Sequence, residues 1–311
     1  MSHPLCPVTG EPAARLVQWV DRDFLISMWR IVFKVDARPS LGAAERIGLW
    51  QSPTGLYFFD PMREGDEGFY TGFYSRLLKR KLWSQDSSRD AFALAARHIA
   101  PGQRVLDVGC GFASFRAAIP AADYTGLDPN FGGVEGVLRE SLREHLVANS
   151  GAYDVVCAFE VLEHLTSPAS MFADMLKAAR PGGLVIVSVP HTPSAAMRIP
   201  NFLINAPPHH LTLWTEPALR ALATSNGAEV TRIEPTRWNA ADSLIYWIAC
   251  CTPISCGDIH FRGGWRYQAA ALVGLLGGKL MYALNPSPKT HDEGGGLVLV
   301  ARRGLSGANA A

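Results

Sequence analysis

The sequence predicts an α/β protein built on an open, mostly parallel sheet with helices on both faces. Two observations carry this reading. From Arg104 onward, apolar strand-like runs alternate with helix-like segments, as in consecutive strand–helix–strand units. Several of those runs, such as "YDVVCAF" and "LVIVSVP", are apolar throughout, as strands covered on both faces should be.

In chain order, the section to about Gln85 is aromatic and turn-rich and reads as irregular or short-stranded. "SSRDAFALAARHIAPG" reads as a helix capped by Ser87 or Ser88 and stopped at Pro101-Gly102. "RVLDVG" is a first buried strand, "YTGLDPN" ends a second, and Val134 to Leu142 holds a weakly marked third. "YDVVCAF" is the fourth. A helix opening at Ser167-Pro168 buries Met171, Phe172, Met175, Leu176 and Ala179, closes at Gly182-Gly183 and leads into the fifth strand, "LVIVSVP". His191 to Trp214 shows no periodicity. Thr215 caps "EPALRALATSNG", "AEVTRIEP" is a sixth strand and "GLVLVARR" a seventh. The expected organisation is an N-terminal appendage over 1–86 and a main domain over 87–303, with an apolar helical insertion at about 240–290. A disordered tail over 304–311 completes it.

Composition narrows the function classes. The 311 residues carry 29 Lys and Arg against 28 Asp and Glu, a net charge of +1, which gives no bias toward nucleic acid. The six cysteines show no framework spacing, and "MSHPLCPVTGEP" lacks the basic flank and apolar core of a secretory signal. A reduced, cytoplasmic setting is therefore expected. The uncharged stretches Ser243 to Gly257 and Tyr267 to Gly278 are too short to span a bilayer. They read as two buried or interface helices, and they leave an oligomer or membrane-surface contact through 240–285 open.

In such a sheet a ligand sits beyond the carboxyl ends of the strands, which turns attention to "VLDVGCGFASF", Val105 to Phe115. Gly109 and Gly111 flank Cys110 where the first strand gives way to a turn. A dinucleotide loop would place a further glycine at Ser114. Asp107, two residues before the first glycine, would oppose a pyrophosphate but suits an ammonium group. Asp128, at the end of the second strand, is placed to accept hydrogen bonds from ribose hydroxyls. Ribose and ammonium without phosphate describe S-adenosylmethionine (SAM).

"VLDVGCGFASF", "YTGLDPN", "YDVVCAFEVLEHL" and "RPGGLVIVSVPH" together resemble the successive motifs of class I SAM-dependent methyltransferases, over about Arg104 to Pro190. The resemblance implies a Rossmann-like seven-stranded sheet whose last strand is antiparallel. It also implies that Asp107 serves the methionine end, that Gly109, Cys110 and Gly111 form the cofactor loop, and that Asp128 holds the ribose. Phe159 and the residues after it would border the sulfonium. Ala113 stands where many members have a third glycine, and an adenine contact is expected near Ser141 or Leu142.

On the acceptor side, "NAPPHHLTLWTEPAL" resembles a bacterial methyltransferase group with a Pro-Pro-His-His-Leu string after the fifth strand, a group that includes enzymes of glycan and natural-product pathways. Pro207-Pro208 is expected to hold an extended backbone. A hydroxyl acceptor must lose a proton, and His210, His209 or His164 could take it. His210 is favoured, with a rate rising through a pKa near 6.5. The other reading of these residues is packing and loop anchoring. Nucleic-acid amino methyltransferases usually carry Asp/Asn-Pro-Pro-aromatic where this chain has "FEVLEHL", so the expected acceptor is a small molecule or glycan precursor. The basic cluster "RLLKRKLW" reads as a solvated helix face.

The N-terminal "CPVTG" and "WQSPTGLYFFDP" resemble a degenerate zinc ribbon in which only Cys6 remains and Thr9, Gln51 and Thr54 replace thiolates. Structural zinc uses four ligands, so no metal is expected there. Two other readings stay open: a catalytically silent partner subunit of the same fold, and a nucleotide-dependent dehydrogenase, which Asp107 disfavours.

Overall fold

The computed structural model describes residues 3–79, 90–130, 133–256, 260–287 and 293–305. Two sheets organise the chain. The N-terminal elements are β1 (Arg15–Asp21), α1 (Arg22–Phe33), α2 (Arg38–Leu41), β2 (Arg46–Gln51), β3 (Tyr57–Asp60) and α3 (Glu67–Lys79). The main body continues with α4 (Asp90–Ala96), β4 (Arg104–Val108), β5 (Asp123–Leu127), β6 (Val137–Leu138), α5 (Leu142–Asn149), β7 (Tyr153–Phe159), α6 (Pro168–Ala178) and β8 (Ala179–Pro190). It ends with β9 (Thr212–Leu213), α7 (Glu216–Ser225), β10 (Glu229–Arg237), α8 (Ala240–Cys251), α9 (Trp265–Leu284) and β11 (Glu293–Arg302).

The larger sheet has seven strands in the order β10-β11-β8-β7-β4-β5-β6. β4, β5, β6, β7 and β8 are mutually parallel, and β11 runs antiparallel to both β8 and β10. This is the Rossmann-like sheet with an antiparallel last strand. Its core forms because β4, β7 and β8 are apolar on both faces: Val105, Leu106, Val155, Val156, Val185 and Ile186 are fully buried. The third strand is only the two residues of β6, and the chain from Ser141 onward is helical, with Ser141 and Glu144 forming a reciprocal N-terminal cap on α5. Thr215 caps α7 as expected, accepting from the Ala218 amide.

The first section is more ordered than its composition suggested. Asp21 caps α1 by accepting from the Phe24 amide, and Leu25, Ile26, Met28, Trp29 and Phe33 then share a buried face. With Phe69 and Phe73 of α3 they form a second core, which Leu203, Ala206 and Phe261 from late in the chain complete. The four-stranded sheet β1-β2-β3-β9 is antiparallel, and its last strand comes from the segment after the histidine pair. Cys6 is buried in the core of the main body, where a thiol packs as a small hydrophobe. Gln51 accepts from Arg15, and the Ser52 and Thr54 hydroxyls bond each other.

α8 and α9 occupy the interval between β10 and β11 and pack against each other. Leu272, Val273, Leu276, Leu280 and Leu284 of α9 are exposed. Among the described residues, no helix is long and apolar enough to cross a membrane. Ser87 and Ser88, Arg80 to Trp83 of the basic cluster, the expected 86/87 boundary and the tail from Ser306 lie outside the described residues.

Candidate active site

β4, β5 and β7 end at one edge of the sheet, and the residues just beyond them line a single cavity of about 2850 Å³. A small-molecule pocket is typically about 300–1,000 Å³, so this cavity has room for two ligands.

The loop after β4 is shaped by two left-handed glycines. Gly109, at φ 70°, donates its amide to Leu127 at 2.7 Å, and a Cβ there would lie 2.7 Å from Val161 Cγ2. Gly111, at φ 51°, would point a Cβ into open space. The first glycine is thus required by packing, and the second leaves backbone bare toward the cavity. Ala113 adopts φ 56°, a left-handed conformation that glycine takes more readily than any residue with a Cβ.

Asp107 is 2% exposed and accepts a 2.8 Å hydrogen bond from Tyr124 Oη. Burial raises its carboxyl to about 7, the Tyr124 hydroxyl lowers it, and nearby Asp128 raises it further. An acid so placed is well matched to a cationic ligand group. Asp128 receives the Gly111 amide on Oδ2 at 3.0 Å and the Asn130 amide on Oδ1 at 2.9 Å, so it ties the β4 loop to the β5 loop. Burial, Asp107 and Asp128 push the Cys110 thiol up to about 12, which keeps it neutral. Phe159 packs into an aromatic cluster with Phe92 and Phe115, at centroid distances of 4.8 and 4.6 Å, and also lines the cavity. Ser141 and Leu142 line it too.

The second half of the cavity is a histidine cluster. Glu160, at φ 57°, reverses the chain after β7 and is held there by Ser188 through its amide and its carboxylate. The short 3-10 turn Leu162–His164 then presents Glu163 and His164. His164 faces His209 and His210, with ring centroids 4.7 and 5.0 Å away, and the latter two stack at 4.3 Å. Glu163 is 1% exposed, and its Oε1 lies 3.7 Å from His164 Nε2 and 4.0 Å from His210 Nε2. The Leu211 amide donates to the Glu163 carbonyl at 2.7 Å and fixes the two loops together.

The structure corrects two expectations here. Pro207-Pro208 is a cis peptide within a turn, not an extended stretch. In this turn His209 and His210 donate their amides back to the Ala206 carbonyl. His210 is 5% exposed, and burial with two neighbouring imidazoles holds its pKa well below 6.5. His209 is lowered likewise, and burial brings His164 to about 4. A rate rising through 6.5 is therefore not expected from this ring.

Sequence reasoning missed the residues that hold the cluster. Trp29 Nε1 donates to the Pro207 carbonyl at 2.9 Å. Phe73 meets His209 edge-on at 4.6 Å, and Tyr70 meets His164 at 6.0 Å. Glu64 accepts from the Thr166 amide and hydroxyl. β3 pairs with β9 immediately after the histidines. The aromatic density of the first section was the signal available for them.

A family model described as a methyltransferase domain matches residues 74–233. The chain belongs to the methyltransferase-domain family. Its cofactor is S-adenosylmethionine. A ubiquinone biosynthesis O-methyltransferase of Cronobacter sakazakii is 36% identical over 102 residues, covering 28% of this chain and 42% of that protein. The corresponding protein of Pectobacterium atrosepticum matches equally. The chain thus spans less than half the length of these relatives. Among solved structures, a SAM dependent methyltransferase from Archaeoglobus fulgidus is 14% identical with a TM-score of 0.48, covering 74% of this chain and 100% of that one. A Burkholderia thailandensis 1,6-didemethyltoxoflavin-N1-methyltransferase is 14% identical with a TM-score of 0.47, over 83% and 95%.

Proposed function

We propose that this chain methylates a hydroxyl group on a small molecule or glycan precursor. The observation that carries the reading is the shared cavity, which the Asp107–Gly111 loop, Asp128 and the three histidines all line. The O-methyltransferase names of the partial relatives and the Pro207–Leu211 string support a hydroxyl acceptor in the bacterial group described above. In this reading residues 87–303 form the methyltransferase unit, and residues 1–86, with their degenerate zinc-ribbon outline, serve as its acceptor-side wall.

S-adenosylmethionine supplies an electrophilic methyl group on a sulfonium when bound. Asp107 would hold the amino group, Gly109, Cys110 and Gly111 would let the ligand approach the backbone, and Asp128 would take the ribose hydroxyls. Phe159 and Val161 line the same cavity. His210 lines the cavity, and its Nδ1 is buried with no hydrogen-bond partner, so it has an unmet bond to offer an acceptor hydroxyl that reaches it. It would take the hydroxyl proton as the oxygen gains the methyl group. Positioning of the acceptor within the cavity supplies the rest of the rate.

Turnover of methyl-labelled SAM against a panel of phenolic, sugar and polyketide hydroxyls tests this. His210→Ala should leave cofactor affinity intact and lower turnover by roughly 100-fold or more, as for loss of a general base. Asp128→Ala should weaken cofactor binding by about 1–3 kcal/mol. Near-normal turnover in His210→Ala would leave the ring a packing role. Tight NAD binding without SAM binding would restore the dehydrogenase reading.

A further inference from the structure

The three imidazoles are arranged as ligands. One nitrogen of each of His164, His209 and His210 lies within 4.8 Å of those of the other two. The second nitrogen of each ring faces an oxygen. His164 Nδ1 meets the His209 carbonyl at 2.6 Å, His209 Nδ1 meets the Ile204 carbonyl at 2.9 Å, and His210 Nε2 looks toward Glu163 Oε1 at 4.0 Å. A carbonyl only accepts, so Nδ1 carries the proton in His164 and His209, and their Nε2 atoms are left with lone pairs. His210 Nδ1 is buried and unpartnered. Metal-bound histidines characteristically donate their second nitrogen to a carbonyl or carboxylate.

We propose that His164 Nε2, His209 Nε2 and His210 Nδ1 bind one divalent transition-metal cation, with Glu163 beside it to balance its charge. Three neutral nitrogens and a nearby carboxylate suit zinc, cobalt, nickel or iron(II) better than magnesium or calcium. Burial keeps all three rings neutral, the form that ligates. Tetrahedral zinc at about 2.0–2.1 Å places its nitrogens roughly 3.3 Å apart, so their separations need close by at most about 1.5 Å. A fourth coordination position would be open to an acceptor oxygen on the cavity side.

The inference uses the same histidine site as the proposed methyl transfer but does not depend on the acceptor. It gives the His210 lone pair a different occupant. With the cation bound, coordination would lower the pKa of the acceptor hydroxyl, and its proton would pass to the Glu163 carboxylate instead of the His210 ring.

The test is a titration of the chelator-treated full chain with Co²⁺, read by visible absorption, and with Zn²⁺, read by calorimetry. One ion per chain is expected, with bands of nitrogen and oxygen ligation. Affinity should fall at least about 100-fold in His164→Ala and His210→Gln. S-adenosylhomocysteine affinity serves as the fold check on each variant. In the wild-type chain, imidazole ¹⁵N spectra should show three of the nine histidines shifting with one equivalent of Zn²⁺.

Thiolate charge-transfer bands, binding that survives both variants, or unshifted histidines would each overturn the site. Loss of the cation with intact cofactor binding would overturn this inference alone and leave His210 as the base. Cation binding without any affinity for SAM or its demethylated product would overturn the cofactor reading alone.

Discussion

Asp107 should couple the ligand-free fold to pH. Its folded pKa is about 7 against an ordinary value of 3.8. Its contribution to stability is therefore fully present below about pH 3.8 and is lost as pH rises through 7. Urea midpoints should fall across that window, and Asp107→Asn should flatten the fall. An ammonium-bearing ligand favours the ionised acid, so affinity for S-adenosylhomocysteine should rise with pH through about 7 and then level off, as calorimetry at several pH values will show. Ala113 makes a second prediction at this scale. Its left-handed conformation costs a non-glycine residue about 1–2 kcal/mol, part of which glycine returns as chain entropy. Ala113→Gly should raise the urea midpoint by an amount worth up to about 1 kcal/mol. Asp107, Gly109, Gly111 and Asp128 could be recognised in the sequence because each is fixed by a strand end a few residues away. The histidine cluster could be named but not assembled, since His164 meets the His209 carbonyl across 45 residues.

Among the elements, α8 and α9 lie close because α9 offers glycines to its partner. A Cβ on Gly278 would lie 2.6 Å from Ile248 Cα, and one on Gly277 would lie 2.9 Å from Cys251 Cβ. A backbone neighbour cannot swing aside, so Gly278→Ala should force the helices apart and destabilise the fold by about 1–3 kcal/mol. Thermal unfolding followed by circular dichroism will measure this. The apolar runs announced both helices, and long uncharged periods made their existence plain. Their facing could not be read, because α9 is apolar nearly all the way round and its glycine face becomes visible only against α8. The missed α1 and α3 have the opposite cause. Their buried faces are built from Trp29, Phe33, Phe69 and Phe73, residues that suit strands as well as helices.

Across the whole molecule, the first 79 residues and the histidine loop act as one construction. Trp29 reaches Pro207 across 178 residues of chain, and Phe59 donates its amide to the Leu211 carbonyl. Trp29→Phe keeps the aromatic packing but leaves a buried carbonyl unpaired, which should cost about 1–3 kcal/mol. If the loop carries the reaction, that variant should show lower kcat with cofactor affinity retained, measured by steady-state kinetics and calorimetry side by side. Loss of cofactor binding in the same variant would mean that the two ends of the cavity are not separable. None of this long-range joinery has a local imprint, which is why the first section read only as aromatic and turn-rich.

The pairing of β3 with β9 also sets an order in time. Three strands of the small sheet are made early in synthesis and wait for a fourth that emerges only after the parallel strands β4 to β8. The glycine loop after β4 depends on β4, β5 and β7, which can pair before that closure. Such distant pairings form late because the chain entropy of closing them must be met first. Pulse-labelled hydrogen exchange during refolding should protect the amides of β4 and β7 before that of Phe59. The histidine loop would then take its place after the loop that follows β4, so that in the proposed reaction a folding chain could hold a cofactor before it has anywhere to put the methyl group.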